Sequence, residues 1–193
     1  EPRALLFTGH MVDGPRRATP RFPPACEPVA RQAIRDALAA ELARSGGKLG
    51  GIAGGANGGD LLFHEVCAEL GITSQLFLAL PPEMFVTESV AQGGPAWVER
   101  FYQACDRLRP RVLATSKDLP RWLRGKPRYD IWRRNSMWML HNALALGRDR
   151  LTLIALWDGQ SGDGPGGTAD LVAEARARGA TVIVLDTKKL FGL

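Results

Sequence analysis

Two stretches of the chain run from an apolar segment through a glycine-rich loop straight into a helical pattern. This repeated order constrains the fold more than any other feature. The first is LGGIAGGANGGDLLFHEVCAELG, residues 49–71, and the second is LTLIALWDGQSGDGPGGTADLVAEARARG, residues 151–179. In the second, Gly164, Gly166 and Gly167 lack a Cβ, so the backbone can take positive φ and admit a ligand close to the main chain. The free amides of the helix that opens near Thr168 then face that ligand, and the helix dipole favours negative charge there. Two such loops at the strand ends of one sheet predict one composite pocket for a phosphorylated ligand.

The rest of the pattern supplies the alternation that such units require. Residues 3–8, RALLFT, predict a buried first strand. It places Gly9 and His10 at its carboxyl end, where open α/β sheets bind ligands. The Pro-, Gly- and Arg-rich segment that follows reads as a flap-like surface loop carrying Arg16, Arg17 and Arg21, solvated by default. An amphipathic helix is expected over 27–43, with Val29, Ala33, Ala37 and Ala40 on one side and Ile34, Leu38 and Leu42 close by. After a short strand at 49–53 comes the first glycine loop, with Gly54, Gly55, Gly58, Gly59 and Asp60. Asp60 reads either as the cap of the next helix or as a ribose ligand. His64 and Glu65 read as a helical surface pair.

Residues 74–80 predict a third strand, stopped by Pro81 and Pro82, after which Phe85, Thr87 and Ser89 pass over the carboxyl edge. A helix is expected over 97–108, a weaker strand over 111–115, a basic loop over 117–127 and a long helix over 128–146. In that helix Ile131, Trp132, Met139 and Leu140 read as core, and Trp132 and Trp138 are given no stacking role. Arg133, Arg134 and Asn135 occupy its early turns, within reach of a phosphate or carboxylate. Residues 181–185 predict the last strand, and 186–193 a tail. The expected fold class is α/β: a doubly wound, mostly parallel sheet with helices on both faces, one domain over residues 1–193.

Composition narrows the partners. A net charge of +5 suits an anionic ligand, but the basic residues are spread along the chain, so charge does not choose between nucleotide and nucleic acid. No apolar run approaches the ~20 residues needed to span a bilayer, so no membrane partner is expected and a cytoplasmic location follows by default. Cys26, Cys67 and Cys105 suit neither a metal site nor a disulfide framework, and His10, His64 and His141 lie far apart. No metal and no cofactor are expected. The start at Glu1 rather than Met leaves open a piece of a larger protein.

With both loops placed, the chain resembles the Rossmann-like superfamily that contains the LOG cytokinin-activating hydrolases and the DNA-processing protein DprA. GPGGTADLV, residues 164–172, is similar to the family's proline-glycine-glycine and glycine-threonine signature, and GGANGGD, residues 54–60, to its earlier glycine loop. WRRNSMW is similar in position to the helix bearing the family's Arg-Lys pair, with Arg134 matching the arginine. Two positions depart from the hydrolases. Leu171 stands where they carry a glutamate that takes part in N-glycosidic cleavage, and Asn135 stands at the lysine. Asp170 is the nearest carboxylate, but one residue along a helix turns a side chain by about 100°.

The resemblance is nearest to the sensory, SLOG-type branch. It implies a nucleotide-binding sensor domain, with homodimerisation and fusion to signalling or effector domains. Gly166, Gly167 and Thr168 would hold phosphate, Gly55, Gly58 and Gly59 would supply the other loop, Arg134 would neutralise charge, and Asp60 or Asp158 would contact ribose. The enzymatic alternative is a phosphoribohydrolase using Asp170 and Arg134, with Glu65 as a third candidate. A further alternative is single-stranded DNA binding of the DprA kind through the basic loops around Arg16 and Arg124, in which the sequence shows no evident exposed aromatic for base stacking.

Overall fold

A computed structural model describes residues 1–15, 17–161 and 166–193 of the chain. Its sheet holds the strands β1 (Arg3–Gly9), β2 (Leu49–Ala53), β3 (Thr73–Leu78), β4 (Arg111–Val112), β5 (Leu151–Trp157) and β6 (Thr181–Asp186). They lie in the order β4-β3-β2-β1-β5-β6, and every neighbouring pair is parallel. Parallel neighbours require crossovers, which the helices supply. These are α1 (Glu27–Arg44), α2 (Gly59–Glu69), α3 (Pro82–Ser89), α4 (Pro95–Leu108), α5 (Ile131–Leu144), α6 (Thr168–Ala177) and α7 (Thr187–Phe191). The architecture is a Rossmann-like, doubly wound α/β fold.

Strand β1 shows how the sequence builds both faces. Its side chains alternate, so Leu5 and Phe7 enter the core on the side of α1, α2 and α4, while Ala4 and Leu6 enter the core on the side of α5 and α6. Phe7 stacks on Phe63 of α2 with ring centroids 4.9 Å apart. From β1 the chain winds outward to β4, then returns to lay β5 against the other side of β1, with Leu5 paired to Gly51 and to Thr152. The order therefore reverses between β1 and β5. Beyond the strand ends at such a reversal the flanking loops part and leave a crevice.

Four expectations shift. The weak strand 111–115 shortens to two residues. The long helix starts only at Ile131, because Asp130 caps it by accepting the Arg133 N–H at 2.8 Å and Arg128 just before holds a φ of 53°. The tail contains α7, capped by Asp186, which accepts the Lys188 N–H at 3.0 Å. On α1 the buried row is Ala30, Ile34, Leu38 and Glu41, while Val29 and Ala40 are exposed. Ile34 and Leu38 remove more apolar surface from water than a row of alanines, so they set the helix rotation.

Candidate functional site

A cleft of about 330 Å³ opens at the carboxyl ends of β1 and β2, roofed by α3 and α5 and reaching the start of α6. Of the residues singled out in the sequence, Gly9, His10, Gly54, Asp60, Ser89, Asn135, Gly166, Gly167 and Thr168 line it. Gly55, Gly58, Gly59, Arg134, Asp158 and Asp170 are not among the lining residues. Gly164 lies outside the described residues.

The first glycine loop is shaped by close backbone approach. A Cβ on Gly59 would lie 3.0 Å from the Cα of Gly9, and one on Gly58, whose φ is 83°, would lie 2.8 Å from the carbonyl oxygen of His10. The loop thus folds onto the end of β1, and the Gly59 N–H donates to that His10 carbonyl at 3.1 Å. Gly55 instead faces the core, where a Cβ would meet Leu76, Leu78 and Phe101 at 2.9–3.2 Å. Gly55, Gly58 and Gly59 therefore give the loop its shape, and Gly54, Ala56 and Asp60 are what it shows to the cleft.

Asp60 does not cap α2, whose cap position is Gly58. Its Oδ2 accepts the Ala56 N–H at 3.3 Å, turning the carboxyl back into its own loop. Burial pushes its pKa up to about 7, against the pull of hydrogen bonds from the Ala56 and Gly9 amides. His64, expected at the surface, is buried. Most of α2 is buried, Leu61 to His64 continuously, so a whole turn of the helix leaves no outer face there. Its ring bridges Ser74 Oγ (2.9 Å from Nδ1) and the Gly54 carbonyl (3.0 Å from Nε2), which braces the loop from below. Burial pushes the His64 pKa down to about 4. Nε2–H therefore donates to Gly54, and Nδ1 accepts from Ser74. Glu65 points elsewhere, pairing with Arg31 and with Arg100 at 2.7 Å.

The second glycine loop is pinned by α5. Gly166 has a φ of 76°, and a Cβ there would lie 2.7 Å from the Cα of Arg133 and still closer to the Trp132–Arg133 peptide. Ser136 Oγ donates to the Gly166 carbonyl at 2.9 Å, and the Gly166 N–H donates to Asp170 Oδ2 at 3.0 Å. That same carboxylate oxygen accepts from Arg133 Nη1 at 2.7 Å, while Arg133 Nη2 reaches Glu174 at 2.6 Å. Asp170 and Arg133 thus tie the loop to both helices. Arg134 makes no side-chain hydrogen bond or ion pair among the described residues. The cap position of α6 is Gly167, which brings no side chain, and among the described residues no side chain caps the first amides of that helix. Thr168 Oγ1 lies 3.2 Å from Thr8 Oγ1, joining this loop to the end of β1.

The lining also includes a cation, Arg21. The Arg-rich loop is folded rather than simply solvated: Asp13 Oδ2 accepts the N–H groups of Arg21 (2.8 Å) and Phe22 (2.9 Å). Phe22 is buried and stacks on Phe191 at 5.3 Å. This delivers Arg21 to the cleft wall. Beside it, buried His10 receives the Asp158 N–H on Nε2 at 3.1 Å, with Asp158 Oδ1 also 3.1 Å away. Burial first, and then the Arg21 charge, lower the His10 pKa. The Asp158 carboxylate beside the ring pulls the other way. Asp158 therefore acts through His10, and its own pKa is lowered: burial opposes its charge, but the Gln160 N–H, His10 and Arg21 outweigh that.

Sequence reasoning missed several lining residues: Thr8, Met11, Arg21, Glu88, Trp132 and Ser136. Trp132 was legible as the i−3 neighbour of Asn135, and Ser136 as the i+4 neighbour of Trp132. Asn135 itself is only 6% exposed, and its Oδ1 is buried without a hydrogen-bond partner. Away from the cleft, the loop 117–127 presents Trp122 at 77% exposure beside exposed Arg121, Arg124 and Lys126, held by buried Leu123. This corrects the reading that the basic loops carry no exposed aromatic.

Among the described residues no cluster of His, Cys, Asp and Glu could hold a metal ion, and no helix is long and apolar enough to cross a membrane. No family model matches the chain, and no curated protein matches it.

Proposed function

We propose that the cleft binds a nucleotide or nucleotide derivative, and that the chain is a ligand-sensing domain. One observation carries the reading: the uncapped start of α6, with Gly166, Gly167 and Thr168, faces the same cleft as Arg21. Backbone N–H groups, a helix dipole and a guanidinium in one lining suit a phosphate. Asp60 and Ser89, also in the lining, suit ribose hydroxyls. In this reading Arg21 takes the charge-neutralising part expected of Arg134.

Binding without cleavage is favoured by the state of Asp170. Its Oδ2 already accepts from Arg133 and from Gly166, so it is committed to holding the loop. The test is a thermal-shift screen of nucleoside mono-, di- and triphosphates, ADP-ribose, NAD and cyclic nucleotides, with product analysis of each hit. A ligand that raises Tm and is recovered intact supports the sensor. Release of free base and ribose phosphate would replace it with a phosphoribohydrolase.

A second reading has its own observation in Trp122. An exposed indole among arginines is the combination that stacks a base while holding its backbone. Single-stranded DNA or RNA would then bind at the 117–127 loop, with affinity falling steeply with salt. Trp122→Ala should weaken that binding about tenfold, given ~1–3 kcal/mol per stacked base. Equal affinity of the variant and the parent protein would remove the loop from consideration.

A further inference from the structure

Asn135 places an amide oxygen without a partner on the α5 face of the cleft, where Trp132, Ser136 and Met139 also lie. On the cleft face of α5, Trp132 lies one turn before it and Met139 one turn after, and Phe85 of α3 meets Trp132 edge-on at 5.8 Å. The residue is buried, 6% exposed, and among the described residues Oδ1 has no donor. An orphaned buried acceptor costs about 1–3 kcal/mol, and a leucine of similar size would fit that face without that cost. The group that meets Oδ1 must be a hydrogen-bond donor. Phosphate offers only acceptors at neutral pH, so it does not meet that need.

We propose that Asn135 reads the exocyclic amine of an amino-substituted nucleobase, which lies between Trp132, Phe85 and Met139. The inference rests on the nucleotide-binding reading above and names the chemistry of its base. An Asn amide matches such an edge with two bonds: Oδ1 accepts from the exocyclic amine while Nδ2 donates to the adjacent ring nitrogen, as in the pairing of Asn with adenine. Replacing that amine by a carbonyl puts acceptor against acceptor at Oδ1. The apolar side chains around the amide give a flat ring the contact area that binding needs.

The experiment compares AMP and CMP with their oxo counterparts IMP and UMP, and with ribose 5-phosphate, by calorimetry on the parent protein, Asn135→Leu and Asn135→Asp. The parent should prefer at least one amino base over its oxo counterpart by about tenfold, the equivalent of one hydrogen bond. Asn135→Leu should lose that preference and leave ribose 5-phosphate binding unchanged, while its Tm without ligand holds or rises because the orphan is gone. Asn135→Asp keeps the acceptor and should keep the preference for the amine. No amino-over-oxo preference in the parent, or an equal loss of ribose 5-phosphate affinity in Asn135→Leu, overturns the assignment of Asn135. Absence of binding by every one of these probes to the parent overturns the nucleotide reading itself and the base assignment with it.

Discussion

Asp60 and His64 stand one turn apart on α2 and brace the same loop, yet burial drives their protonation in opposite senses. Between about pH 4 and 6.5, folded Asp60 (pKa about 7) keeps a proton that an ordinary aspartate (3.8) has released. Folded His64 (pKa about 4) over that range lacks a proton that an ordinary histidine (6.5) holds. Asp60 therefore contributes stability at low pH that is lost as pH rises through about 7. His64 contributes stability at high pH that is lost as pH falls below 6.5 toward 4. The two slopes cancel in the shared window. Asp60→Asn removes one of them, so its stability relative to the parent should climb with pH by up to about 1.4 kcal/mol per unit between pH 4 and 7. Urea unfolding at pH 4.5, 5.5 and 6.5 measures the difference, and a constant offset would mean that Asp60 ionises normally in the fold. Arginine identity is tested at the same scale. Arg21→Ala should weaken a phosphorylated ligand about tenfold or more, at ~1.5–3 kcal/mol for a charged hydrogen bond, and spare its dephosphorylated form. Arg134→Ala should change neither, and a phosphate-specific loss in Arg134→Ala would return the role to the helix position expected from sequence.

Elements were legible where their signal is local and the site was not, for a reason that Gly166 illustrates. Strand–loop–helix order, the two glycine loops and the strands Leu49–Ala53 and Leu151–Trp157 follow from apolar runs and from residues that permit special backbone. Which face of a loop meets the cleft depends on what packs behind it. Gly55 and Gly54 are adjacent glycines, yet one is crowded by Leu76, Leu78 and Phe101 and the other lines the cleft. Arg133 and Arg134 are likewise indistinguishable in sequence, and only the position of α6 gives Asp170 and Glu174 to the first. His64 reads as surface because a helical pattern does not say how many sides the core will cover. The junction of α5 with the second glycine loop gives an element-scale test. Gly166→Ala adds a Cβ in a left-handed conformation and against the backbone of Arg133, so α5 must move off the loop. Strain and overpacking together should cost about 2–5 kcal/mol and abolish ligand binding. Gly47→Ala has a similar φ, 83°, but open space around it, and should cost only about 1–2 kcal/mol with binding intact. Equal costs for the two would mean that the contact between loop and helix is not tight.

At the scale of the whole molecule, the cleft has a competitor at the other edge of the sheet. A recess of about 500 Å³ lies at the amino-terminal edge of the sheet, lined by Pro2, Lys48, Gln75, Asn142 and Leu146 among others. In a parallel sheet the carboxyl edge differs from the amino edge in kind. Helix amino termini and the loops that lead into them gather at the carboxyl edge, so backbone donors and positive dipole ends point there. Helix carboxyl termini gather at the opposite edge and present carbonyl oxygens, which repel an anion. An anionic ligand should therefore take the cleft at the carboxyl edge, although Arg3 and Lys48 sit at the recess. Hydrogen exchange tests this across the entire fold. A bound nucleotide should slow exchange at the end of β1, in the 54–60 loop, in the first turns of α5 and at 166–170, and leave residues 48–50 and 142–146 unchanged. Protection centred on the amino-terminal edge would move the site to the recess, and with it the assignments of Arg21 and Asn135 would fall.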